Sequence, residues 1–132
     1  MKPGRIDLDG ARTIREVIDR VVHARHEEAA SLSSALASRD MQALHDFRIA
    51  CKRLRYAMER FCDRVPEFEQ TAVRLAEIQD ALGEAHDRDV LLAVLPPTMP
   101  ETERRLTEER ESLVERANQL WSSFVAGDGS LT

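Results

Sequence analysis

Between residues 44 and 65 the apolar side chains fall at steps of three and four: Leu44, Phe47, Cys51, Leu54, Met58, Phe61 and Val65. That spacing puts them on one face of an α-helix and does not suit the period of two that a half-buried strand requires. Moved on by one residue, His45, Arg48, Lys52, Arg55 and Glu59 repeat the same steps. Each residue turns a helix by about 100°, so a mostly cationic row runs beside the apolar one. A chain built around this helix must cover one face with further helices and leave a row of hydrogen-bond donors at the rim.

The remaining residues agree with that demand. Glycine and proline together number ten in 132 residues, and good helix formers such as Ala, Leu, Glu and Arg dominate. The expected fold is all-α, an antiparallel four-helix bundle with helices over about 12–38, 41–64, 67–95 and 101–125. Residues 1–10, with Pro3, Gly4 and Gly10, read as a flexible N-terminal arm, 11–126 as a single domain and 127–132 as a flexible tail.

Local signals place the helix ends. Thr13 followed by Glu16 is a capping-box pattern, with Ile14, Val17, Val21, Leu32 and Leu36 as the apolar positions of the first helix. Asp40 suits the N-cap of the second and Pro66 the start of the third. Phe68, Ala72, Leu75, Ile78 and Leu82 form the inner face of that third helix. It is expected to run through Gly83, at a cost of about 1 kcal/mol relative to alanine, and to resume an apolar face at Val90, Leu91, Val94 and Leu95. Pro96, Pro97 and Pro100 then break the chain, and Leu106, Leu113, Ala117, Leu120 and Phe124 point inward from a fourth helix ending before Gly127.

The net charge of −5 argues against a protein that binds nucleic acid by charge alone. Residues 44–64 depart from that average, with six basic residues against three acidic ones. Arginine and lysine in a stripe suit phosphate oxygens through charge-assisted, partly bidentate hydrogen bonds. From His45 to Arg55 the row spans about 15 Å, too long for one phosphate and suited to a linear polyanion. The competing interpretation is a solvated rim in which Arg55 and Glu59 form an ordinary i,i+4 pair.

Other chemistry is thinly represented. Glu77, Asp80, Glu84 and Asp87 share a helix face and could hold divalent cations, serve a metal-dependent phosphohydrolase, or pair with arginines of a neighbouring helix. His23, His26 and Glu27 lack the further ligands of a metal site and read as rim positions. There is no serine elbow, zinc spacing or glycine-rich phosphate loop. No metal, cofactor or catalytic residue is therefore expected, and the protein is read as non-enzymatic. Cys51 and Cys62, eleven positions apart on one helix and so about 16 Å apart, read as reduced thiols. With no signal-peptide pattern and no long apolar run, a cytoplasmic protein without membrane contact is the expectation.

Two stretches resemble the signature motifs of the CHAD family, the conserved histidine α-helical domain. The first is His45-Asp-Phe-Arg48 leading to Lys52-Arg53-Leu54-Arg55, then Glu59 and Phe61. The second is Leu75-Ala-Glu-Ile-Gln79-Asp80-Ala-Leu82-Gly83, followed by His86-Asp87-Arg88-Asp89-Val90. The resemblance implies a helical module that binds inorganic polyphosphate, associates with polyphosphate granules and is not an enzyme. By it, His45, Arg48, Lys52, Arg53 and Arg55 line the basic surface, Arg53 lying furthest from the row. Asp80, Asp87 and Asp89 hold arginines in place. His86 stands where the family has a basic residue, so charge there depends on pH near neutrality. Family members typically carry two similar four-helix halves, whereas this sequence has one, which implies a homodimer. The alternative function is a helical scaffold docking an acidic protein partner. Nucleic acid fits less well, since only Tyr56 offers a stacking surface near the ladder.

Overall fold

The computed structural model describes residues 2–127. Five helices follow in order: α1 Ile14–Leu32, α2 Ala35–Ser38, α3 Met41–Phe61, α4 Phe68–Val94 and α5 Pro100–Gly127. The described residues contain no strand, and the four long helices are compatible with a four-helix bundle.

The N-cap residues act as expected, and the Glu16 arm of the capping box shifts by one residue to Arg12. Thr13 Oγ1 accepts from the Glu16 N–H at 3.1 Å, and the Glu16 carboxylate reaches back to the Arg12 N–H at 2.9 Å. Asp40 Oδ2 accepts from the Ala43 N–H at 2.9 Å to start α3. The described residues of the N-terminal arm form no helix or strand but are tied along α1. Arg20 donates to the carbonyls of Asp7 and Asp9, Arg25 donates to the carbonyl of Gly4, and the Gly4 N–H donates to Glu28.

The helix expected over 12–38 is two helices. The Ser33 N–H and Oγ both donate to the Ala30 carbonyl, at 3.2 and 2.8 Å, because a serine side chain competes with the helical ladder. The single turn of α2 then drops Ala35 and Leu36 into the core. It ends at Arg39, which holds a left-handed φ of 58° while its N–H donates to the Ala35 carbonyl at 2.8 Å. The other boundaries shift less. α3 stops at Phe61, whose carbonyl accepts from the N–H groups of Arg64 and Val65, so Val65 is buried beyond the helix rather than on it. α5 begins at Pro100 and includes Gly127, the first residue of the expected tail; residues 128–132 lie outside the described residues.

The core is centred on the face of α3 that the sequence marks, with Phe47, Cys51, Leu54 and Met58 fully buried. From α4, Leu75 and Ile78 meet it, with Ala72, Leu82 and Ala85 beside them. The outer helices turn by about one residue from the sequence expectation. In α1 the buried positions are Ile18, Val22, His26 and Ala29, while Ile14 is exposed. In α5 they are Leu106, Val114, Ala117, Trp121 and Phe124, and Leu113 and Leu120 are half-buried.

His26 is therefore not a rim residue. Its ring stacks on Trp121 at 6.4 Å, and Trp121 packs against Phe124 at 5.3 Å and edge-on to Phe47 at 5.1 Å. The end of α4 departs in the other direction. Val90, Leu91 and Val94 are exposed, because this end of α4 runs out beyond His86 and Asp89, which lie beside the first turns of α3. No helix of the described residues is long and apolar enough to cross a membrane.

Candidate functional site

The cationic row faces the seam between α3 and α4, and contacts step in opposite chain directions along the two helices. His45 meets His86, and Arg48, one turn further along α3, meets Gly83 and Gln79, one to two turns back along α4. The helix passes through Gly83 as expected, and the structure supplies the reason for a glycine there. A Cβ at that position would stand 3.2 Å from Arg48 Nη2 and 3.5 Å from Nε. Arg48 lies across the bare backbone, and its Nε donates a long 3.4 Å hydrogen bond to the Gln79 carbonyl.

Further along α3, Lys52 is exposed and Arg55 half-buried, and both flank the exposed ring of Tyr56. The Lys52 Nζ stands 5.6 Å and the Arg55 guanidinium carbon 5.0 Å from the ring centre, within cation–π range. Arg55 has Glu59 at 3.8 Å as its i,i+4 partner. Arg53 is half-buried and projects about 120° around the helix from the middle of the row. The structure thus brings His45, Arg48, Lys52 and Arg55 onto one edge and leaves Arg53 off it.

Part of this edge's charge is not neutralised, in contrast to the arginines that join α5 to the rest of the fold. Arg39 is gripped by Glu111 and Glu115 at 2.6 and 2.8 Å. Arg110 is held by Asp89 and Glu111 at 3.1 and 3.0 Å and donates to the Arg39 carbonyl at 2.8 Å. Arg88 lies 3.8 Å from Glu109. Among the described residues Arg48 and Lys52 form no ion pair.

The acidic residues assigned by resemblance divide accordingly. Asp89 does hold an arginine, but it is Arg110 of α5 and not a member of the ladder. Arg110 occupies an inward position between Leu106 and Val114, so its pairing with Asp89 joins α4 to α5. A charged residue on the core stripe carries no apolar signal, and sequence reasoning passed over it. Asp80 and Asp87 are exposed and make no ion pair among the described residues; Arg48 uses a backbone carbonyl instead. Both line an open groove with Glu77, Gly83 and Glu84, reached by Arg48 from α3 and Arg116 from α5. That groove sets four carboxylates beside two guanidinium groups, whereas His45, Lys52 and Tyr56 do not line it. Among the described residues no cluster of three or more His, Cys, Asp or Glu side chains is arranged to hold a metal ion.

The cysteines take no part. Burial pushes the Cys51 thiol up and away from the reactive thiolate, and Cys62 is likewise unpaired with sulfur.

The family model of the CHAD domain matches residues 3–96, which contain the ladder, Gly83 and His86. The chain belongs to the CHAD domain family. CHAD domains are associated in general with polyphosphate-related proteins. No curated protein and no solved structure gives a match. The matched residues include α1 to α4 and stop before α5, so the helix that carries Arg110, Val114, Trp121 and Phe124 lies outside the family match.

Proposed function

We propose that this CHAD domain binds inorganic polyphosphate, without turnover, along the edge formed by His45, Arg48, Lys52 and Arg55. Arg53 contributes to the surrounding field more than to contact. The observation that supports this reading most is the free donor capacity of the edge. Arg48 and Lys52 carry no carboxylate partner among the described residues, and they share one edge of α3 with His45 and Arg55. Guanidinium and ammonium donors aligned over about 15 Å match an extended chain of phosphoryl oxygens.

The test is the triple variant R48A/K52A/R55A, assayed for binding of long-chain polyphosphate by a titration method, with circular dichroism as the control for folding. Loss of binding with helicity intact is the expected result, and unchanged affinity would remove the site. Docking of an acidic protein segment is a second reading, favoured by Tyr56, whose exposed ring between two cations offers apolar contact as well as charge. Competition between polyphosphate and an acidic peptide separates the two.

We also adopt the antiparallel four-helix arrangement for the domain and a homodimer as its working form. The exposed Val90, Leu91 and Val94 at the end of α4 support a second copy as the partner, since an apolar turn of this kind gains by being covered. Light scattering at micromolar concentration that finds only monomer would exclude it. A cytoplasmic site at polyphosphate granules is the location this reading implies.

A further inference from the structure

The ring centroids of His45 and His86 lie 6.0 Å apart, across the seam between α3 and α4, and both side chains are exposed. They border one small hollow with Met41, Leu44, Leu82 and Ala85, which Arg48 and the Arg110-paired Asp89 also line. Imidazole is the side chain whose charge changes between about pH 5 and 8. Two of them at this spacing, beside a guanidinium that has no carboxylate partner among the described residues, can present three positive groups to one phosphoryl unit.

We propose that His45 and His86 form a proton-dependent phosphate subsite at one end of the ladder, so that polyphosphate binding tightens as pH falls. This rests on the polyphosphate reading above. The carboxylates near the pair favour a charged imidazole, and the Arg48 guanidinium opposes it until an anion is bound. On α3 the charged groups are Asp46 and Arg48. On α4 they are Asp87 and Asp89, and from α5 Arg110 already neutralises Asp89. Carboxylates stay ionised and arginine stays protonated between pH 5.5 and 8, so the change in field over that range comes from the two imidazoles. An anion bridging both rings stabilises their protonated forms, and by linkage each proton taken up raises affinity at low pH.

The experiment is binding of long-chain polyphosphate at fixed ionic strength between pH 8 and 5.5, for the wild type, H86Q and H86R, with helicity checked at each pH. A charge-assisted contact corresponds to roughly tenfold in affinity. The wild type is expected to gain about a hundredfold on going to pH 5.5 and H86Q about tenfold. H86R should bind more tightly than the wild type at pH 8 and retain only the smaller pH response. Wild-type binding that is flat with pH, or an H86Q profile equal to the wild type, overturns the subsite while leaving the ladder standing. No binding by the wild type at any pH overturns the polyphosphate reading and the subsite with it.

Discussion

The Arg48 guanidinium occupies the space that a side chain at position 83 would need, with Nη2 3.2 Å from the Cβ position of Gly83. One residue from each family motif is thereby locked to the other across two helices. Gly83→Ala separates their contributions. Alanine favours the helix by about 1 kcal/mol, and Arg48 must move only a few tenths of an ångström to admit the methyl group. Thermal unfolding should therefore show stability unchanged or raised by up to about 1 kcal/mol. Polyphosphate affinity should change less than twofold, because so small a shift lengthens the Arg48–Gln79 hydrogen bond but leaves Arg48 in the row. A G83A variant that loses both stability and helicity would contradict this account.

Binding through the ladder should weaken steeply with salt. The three permanent cations of the edge, Arg48, Lys52 and Arg55, at a slope of about −0.7 each as for single-stranded polyanions, predict a log–log dependence near −2. Lys52→Ala should lower the magnitude of that slope by roughly one contact. Titrations at several sodium chloride concentrations provide the check.

Asp89 and Arg110 form the more buried of the ion pairs that join α4 to α5, with side chains only 15% and 11% exposed. Removing one partner of such a pair leaves a partly desolvated charge unmatched. Arg110→Ala is expected to destabilise the fold by about 2–4 kcal/mol, measured by urea unfolding. Arg15→Ala, which breaks a pair more than half exposed on each side, should cost well under 1 kcal/mol.

Hydrogen bonds from Arg39, and then from Arg110, hold the Glu111 carboxyl below its ordinary range. A lowered folded-state value means that the stabilisation is present at neutral pH and is lost as pH falls through that value. Glu111→Gln should therefore lower stability at pH 6, and the gap to the wild type should close on acidification below about pH 4. Urea midpoints from pH 6 to 3 test this; a gap that widens toward acid would exclude the assignment.

The core face of α3 and the ladder at its rim were legible in the sequence because both are properties of one helix. Spacing alone places Phe47 and Leu54 inward and Arg48 and Lys52 beside them, whatever the rest of the chain does. The capping of α1 and α3 and the passage of α4 through Gly83 are equally local. The kink at Ser33 was not legible, since two serines interrupt a helix only where Ala35 and Leu36 have a core to enter.

Partnership between helices needed the tertiary structure. Sequence leaves the partner of Asp89 open, and only the packing of α5 on α4 brings Arg110 to it. His26 read as a rim residue until Trp121 and Phe124 arrived from α5 to cover it. His45 and His86 lie forty-one positions apart, and no periodicity joins them. Repeats of three and four determine which side of a helix is apolar and which is charged, because the helix alone sets that geometry. Which charges remain without a carboxylate partner is decided by the neighbouring helices, which neutralise some cations and leave Arg48 half-buried over Gly83 and Lys52 exposed.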